Sequence, residues 1–267
     1  MRTSNTPQSR QAVVDSGDQP FSAFGFCTVC NRIHGLPAGT AANSCRQLMH
    51  HLHRWQSIEL DRPGNGDPRL STASLFGEAG GKMFGVLECC DRKGELVLLR
   101  AFSGQYNGRW LVPGWAPPLF DLDEFNRLND QTERQIKALG ARIADLPPHS
   151  RDWLELRRQR RLLSRSLMRE LHAIYRLTNF RGHTAPLTTV FIGKGGAPTG
   201  TGDCCAPKLL HQAAAAGLTP VGIAEFYWGR ANRLGNRQHG RFYPSCAEKC
   251  QPILGHLLCG AGGANRS

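Results

Sequence analysis

Residues 200–256 read GTGDCCAPKLLHQAAAAGLTPVGIAEFYWGRANRLGNRQHGRFYPSCAEKCQPILGH and carry three elements in succession. The alanine-rich run after Cys204 and Cys205 predicts a helix that stops at Gly217, a residue free to take the left-handed conformation that ends a last turn. The apolar run from Val221 to Trp228 predicts a strand. An arginine- and asparagine-rich loop follows. Behind Pro244, Ser245 to Cys259 is expected as a short final helix. Cysteines mark both helix starts, Cys204 at the first and Cys246 and Cys250 at the second.

That placement has chemical consequences. Inside a helix, a spacing of four puts Cys246 and Cys250 on one face. Helix N-termini favour anions and lower thiol pKa values, which suits thiolates that ligate a metal. A third thiolate from Cys204 leaves one tetrahedral position of a zinc ion for water or for another residue. Candidates for that position are His239, Cys205 and Glu225, with His239 taken first and Glu225 reserved as the acid/base of a catalytic site. The competing reading is that the cysteines are free and pack as small hydrophobes.

A second candidate metal site is Cys27, Cys30, His34 and Cys45, spaced C-x2-C-x3-H-x10-C, of which the first pair is a common half-site. The glycine stretch Gly193 to Gly202 does not qualify as a phosphate loop. Asp203, Cys204 and Cys205 open the following helix where Gly-Lys-Ser/Thr would be required. No Gly-x-Ser-x-Gly nucleophile elbow occurs.

Working outward, Lys82–Cys90 and Leu96–Phe102 are apolar runs separated by Asp91-Arg92-Lys93-Gly94, a β-hairpin signature. Trp110, Trp115 and Phe120 pin an extended loop after it. Helical periodicity over 123–144 and 151–178, broken at Pro147-Pro148, predicts an antiparallel helical hairpin. Its second arm carries Arg157, Arg158, Arg160 and Arg161. These arginines form either a solvated face or an RNA backbone track, together with Arg230, Arg233, Arg237 and Arg241 of the later loop. Trp110, Trp115, Tyr227 and Trp228 are candidates to stack on splayed bases. The chain therefore divides into a disordered tail at 1–20, a cysteine-containing cap at 21–72, a core at 76–122 and 180–260, and a helical insertion at 123–179.

Thirty-three Lys and Arg against 21 Asp and Glu leave a net charge of +12, which favours a polyanionic partner such as RNA. No run of eighteen apolar residues exists, so no membrane partner is expected. The polar N-terminus lacks the pattern of a secretory signal, and the ten cysteines are read as reduced thiols of a cytoplasmic protein.

The runs GTGDCCAPKLLH at 200–211, AEFYWG at 224–229 and HGRFYPSCAEKCQPILGH at 239–256 closely resemble the long N-terminal region of some bacterial RluA-like RNA pseudouridine synthases. GKMFGVL at 81–87, AFSG at 101–104 and PPLFD at 117–121 extend the resemblance over roughly 76–258. It implies a module of rRNA or tRNA modification, but the Arg-Leu-Asp motif that carries the synthase aspartate is absent from this sequence. The element order is also similar to the cytidine-deaminase superfamily, where a His or Cys followed by Ala-Glu opens one helix and Pro-Cys-x2-Cys opens the next. This implies an α/β fold, a cytidine-deaminase-like three-layer arrangement of sheet and helices with the helical hairpin inserted. Cys204 matches the first ligand. Position 206 is Ala where that family has its glutamate, Ser245 separates Pro244 from Cys246, and the two cysteines are four apart. The expectations are a zinc-containing RNA-binding module associated with pseudouridine synthesis, a zinc-dependent deaminase using Glu225 as proton shuttle, or a docking partner of a separate synthase.

Overall fold

The structure is a computed structural model that describes residues 22–61, 66–78 and 80–262; the tail expected over 1–20 lies outside them. The N-terminal part forms strands β1 (Ala23–Cys27) and β2 (Arg32–Leu36) and helix α1 (Ala41–Trp55). The predicted β-hairpin is β3 (Lys82–Cys90) and β4 (Leu96–Phe102), and the helical hairpin is α2 (Leu122–Ala144) and α3 (Arg151–Ile174). Then come β5 (Arg176–Thr178), β6 (Thr184–Pro186), α4 (Leu187–Val190), α5 (Cys205–Ala215), β7 (Thr219–Trp228) and α6 (Gln251–Leu257). Among the described residues the chain is mixed α/β, with small antiparallel sheets and six helices.

The site is built on the three-stranded sheet, ordered β4-β3-β7 and antiparallel throughout. Its hairpin turns where Gly94 takes φ +83 and Asp91 accepts the amides of Lys93 and Glu95, the chemistry those residues predict. Side chains alternate across the strands. Phe84, Val86, Phe102, Ala224, Phe226 and Trp228 pack with Cys45, Leu48 and Leu52 of α1. Leu87, Cys89, Ala101 and Ile223 pack instead with Cys205, Leu209 and Ala213 of α5 and with Ile253 and Leu254 of α6. A sheet buried on both faces explains why β3 and β7 read as continuous apolar runs. Residues 22–61 thus do not stand apart as a cap, because α1 covers one face of the sheet. Glu88 on β3 accepts the hydroxyls of Thr40 and Ser44 at the start of α1, where a carboxylate complements the helix dipole.

The aromatic residues that were candidates to stack on RNA are core, the commoner role of such side chains. Trp110, Trp115, Tyr227 and Trp228 are 8, 6, 5 and 5% exposed. Trp115 packs its ring against Phe84 and Phe102 and donates its Nε1 hydrogen to the Ile58 carbonyl, so it ties the loop onto the core.

The helical hairpin follows the sequence. Asp121 and Ser150 accept the amides of Glu124 and Trp153 as N-caps, and the turn between the arms contains His149 at φ +66. Phe125, Leu167, Leu171, His172 and Ile174 are the buried residues of the two arms. Leu128 and Ile136 of α2 are half-buried against the core, whereas Leu154 and Leu162 of α3 are exposed.

Three stretches depart from expectation. Residues 176–178, read as the end of the second helical arm, form β5 and pair with β6. The loop expected around Cys27 and Cys30 is the β1–β2 hairpin, whose turn places Asn31 at φ +50. The last helix begins at Gln251, not Ser245. Residues 241–245 run beside β7 instead: Tyr227 N–H donates to the Arg241 carbonyl and Tyr243 N–H to that of Glu225. A turn follows in which the Cys250 and Gln251 amides both donate to the Cys246 carbonyl.

Candidate metal centres

Cys204 is the N-cap of α5, and its loop is held by several independent contacts. Gly104 N–H donates to the Asp203 carbonyl at 2.8 Å, and Tyr175 Oη donates to the Asp203 carboxylate at 2.8 Å. Gly202 takes φ +94 against the Tyr175 ring, where a Cβ would come within 2.9 Å. Lys208 is 1% exposed, donates to the Gly104 carbonyl at 3.2 Å and lies over the Phe102 ring. Burial pushes the Asp203 carboxyl up and the Lys208 ammonium down, with their mutual attraction working against both. Tyr175 falls in the stretch read as helix over 151–178, so the sequence reading missed this support.

The segment beside β7 carries Cys246 to the level of Glu225, and there the three predicted thiols meet. The sulfurs of Cys204, Cys246 and Cys250 all lie within 4.8 Å of one another, and Cys246 and Cys250 are 3.4 Å apart. A zinc ion with Zn–S bonds of about 2.3 Å holds tetrahedral ligands about 3.8 Å apart, so the spacing fits a single ion. The reason for the convergence differs from the helical-face argument. Cys246 precedes α6 and Cys250 is its N-cap, so a turn brings the two together. Hydrogen bonds from the Cys204 and Cys250 thiols pull the Cys246 thiol far below its ordinary value, helped by the amides of Lys249 and Cys250. The same sharing pushes Cys204 and Cys250 up. A cation at their centre would let all three ionise together.

Glu225 sits on the β7 face that looks toward α5. Its carboxyl lies against the Ala206 amide at the start of α5, and its Oε1 is buried without a hydrogen-bond partner. Burial first and the Cys246 thiolate second push its carboxyl up to about 8, while the Ala206 amide and Arg237 work the other way. Gly85 makes room for this arrangement, since a Cβ there would lie 2.8 Å from the Cys205 Cβ and 3.2 Å from the Glu225 Cγ.

His239 does not join the thiols. It is exposed, its Nδ1 accepts the Gly229 amide, and its ring lies 4.2 Å from that of Trp228. Cys205 is also turned away, with its thiol donating to the Met83 carbonyl.

The second candidate is corrected at one ligand. Cys27, Cys30 and His34 converge with Cys259, all ligand atoms lying within 4.8 Å of one another. Cys45 is in the core on the α1 side of the sheet, where its thiol donates to the Ala224 carbonyl. Cys30 and Cys259 sulfurs are 3.5 Å apart, and Arg181 donates to Cys30. His34 Nε2 is buried without a hydrogen-bond partner.

Arg157, Arg158, Arg160 and Arg161 lie exposed on α3, with Arg158 paired to Glu155 and Arg157 over the Trp153 ring. Arg165 and Arg169 of the same helix line a cavity of about 670 Å³ against the loop around Gly195 and Gly196. Arg230, Arg233 and Arg241 are exposed, and Arg237 is half-buried over the Tyr243 ring. No helix among the described residues is long and apolar enough to cross a membrane.

Comparison with family models, with curated proteins and with solved structures finds no match to this chain.

Proposed function

We propose that this chain is a zinc-containing RNA-binding protein of RNA modification whose Cys204, Cys246 and Cys250 centre works with Glu225 in hydrolytic deamination of a base. One observation carries the reading: Glu225 reaches the N-terminus of α5 from β7, so that a Cβ on Gly85 would meet both the Cys205 Cβ and the Glu225 Cγ, and the Ala206 amide acts on its carboxyl. Residue 206 is where the deaminase resemblance calls for a glutamate. The carboxyl that this position lacks is therefore supplied from the neighbouring strand. The three-stranded sheet between α1 on one side and α5 and α6 on the other supports a deaminase-like core, as does the placing of the ligands at two consecutive helix starts.

Zinc at the three thiolates would supply a Lewis acid that lowers the pKa of water at its open position toward neutrality. Glu225 is then the proton carrier. It accepts the proton released as water adds to the amine-bearing ring carbon and returns it to the departing amine, so that the base and water give the keto base and ammonia. Arg237 acts electrostatically on the Glu225 carboxyl, and the arginines of its loop offer contacts for a phosphate backbone.

The exposed arginines of α3 favour a second reading, in which the chain binds rRNA or tRNA and presents it to a separate pseudouridine synthase. Incubating the zinc-loaded protein with RNA and digesting to nucleosides separates the two. A gain of uridine or inosine that Glu225→Gln abolishes is the expected result. RNA binding with unchanged nucleosides removes the deaminase reading and leaves presentation.

A further inference from the structure

We infer that Cys27, Cys30, His34 and Cys259 hold a second, structural zinc that clasps α6 and thereby sets the position of Cys250 in the three-thiolate centre. The proposal rests in part on reading that centre as a zinc site.

Four ligand atoms within 4.8 Å of one another complete a tetrahedral set with no open position. The spacing suits one ion. A disulfide needs sulfurs about 2.0 Å apart, and the Cys30 and Cys259 sulfurs stand at 3.5 Å. His34 Nε2, buried with no partner, is the atom a metal would satisfy. The surroundings fit an anionic tris-thiolate: Arg181 donates to the Cys30 sulfur, and both Arg32 and Arg181 act electrostatically on His34. Backbone amides and the neighbouring thiols act on Cys27, and the Cys27 and Cys30 thiols act on Cys259.

The clasp joins residues far apart in sequence, the turn of the β1–β2 hairpin and the segment just after α6. It reaches the other centre through a rigid path. Helix α6 has seven residues, about 10 Å of axis. Cys250 caps its start, and Cys259 follows its end by two residues. Against this helix β1 packs backbone to backbone: a Cβ on Gly255 would fall 1.9 Å from the Phe26 carbonyl oxygen, and one on Gly25 2.4 Å from that of Gln251. Further, the Ser245 amide donates to the Ser22 carbonyl, so the hairpin also holds the approach to Cys246. Releasing the hairpin from Cys259 frees α6 to slide, and the Cys250 sulfur slides with it.

Native mass spectrometry and competition with a chelator test this on the full chain with zinc as the only probe. Wild type is expected to carry two zinc ions. Cys204→Ser should keep one, held as tightly as before. Cys259→Ser should keep one, released to the chelator at least tenfold more readily than the three-thiolate zinc of wild type. His34→Cys, which preserves four ligands, should hold two zinc ions and fold, and this keeps the test informative where Cys259→Ser fails to fold. Two zinc ions in folded Cys259→Ser, or loss of the clasp zinc in His34→Cys, overturns the clasp. One zinc in Cys259→Ser held at wild-type strength overturns the coupling. A single wild-type zinc that Cys259→Ser removes and Cys204→Ser spares upholds the clasp and defeats the three-thiolate reading.

Discussion

The two cysteine clusters differ in what surrounds them more than in the ligands themselves. At Cys204, Cys246 and Cys250 three sulfurs converge beside a buried carboxyl with an unpartnered oxygen. At Cys27, Cys30, His34 and Cys259 four ligand atoms close the set, and the neighbouring charges are arginines. A missing fourth protein ligand with an acid at hand is what catalytic zinc requires, whereas a closed set spends its binding energy on the fold. Cysteine count therefore separates the two poorly, and the neighbouring side chain separates them well.

The strongest way to break this contrast is to delete one ligand from each cluster. Cys27→Ala should destabilise the chain by roughly 3–5 kcal/mol or more, because structural zinc commonly supplies on the order of 10 kcal/mol of folding free energy. Cys204→Ala should leave a cooperative melt at a higher temperature than Cys27→Ala. Equal melting temperatures in calorimetry would abolish the distinction between a structural and a functional site.

The next test separates chemistry from metal binding. Glu225→Gln keeps the shape and removes the proposed proton carrier, so two zinc ions should remain in native mass spectra while the proposed deamination falls by about 10²- to 10⁴-fold. Activity within a few-fold of wild type would return the carboxyl to a packing role.

A smaller effect is expected at the surface. Reversing Arg157, Arg158, Arg160 and Arg161 to Glu should weaken RNA binding and reduce the slope of log affinity against log salt by about 3, near 0.7 for each lost single-strand phosphate contact. Filter binding over a salt series measures both quantities, and an unchanged slope excludes this face from the RNA path. Zinc content should not change, since no ligand lies on α3.

The smallest effect is on pH dependence. Burial holds the imidazoles of His172, His211 and His256 below their ordinary value of 6.5. The unfolded chain then takes up their protons first, so their contribution is intact above that value and is lost as pH falls from it through the folded values. Melting temperature should decline on acidification below about 6.5. His172→Leu, which removes a buried ring nitrogen with no partner, should flatten that decline. An unaltered acid limb would remove His172 from its causes.

Much of this arrangement was legible in one dimension. The β3–β4 turn, the helical hairpin with its Pro147-Pro148 break, and the cysteines near two helix starts all rest on local chemistry, and local chemistry is what a sequence displays. Cys45 was mistaken for a ligand because it is close to His34 along the chain. Helix α1 turns it to the opposite face of the sheet, toward the Ala224 carbonyl. Cys259 carried no signal, since it lies 229 residues from the Cys30 it approaches. Trp110, Trp115, Tyr227 and Trp228 were candidates to stack on RNA although such aromatics more often pack in a core, and packing places them there.

By itself the sequence determined the β3–β4 hairpin, the helical hairpin, α5 and β7, the basic charge and the presence of thiols near two helix starts, because periodicity, capping and turn residues act within a few positions. The tertiary structure decided which ligands meet and which acid attends them. Strand register turns Glu225 toward α5, and the close approach of Gly25 to Gly255 brings one end of the described chain to the other. Both depend on pairing between residues that only a folded backbone makes neighbours.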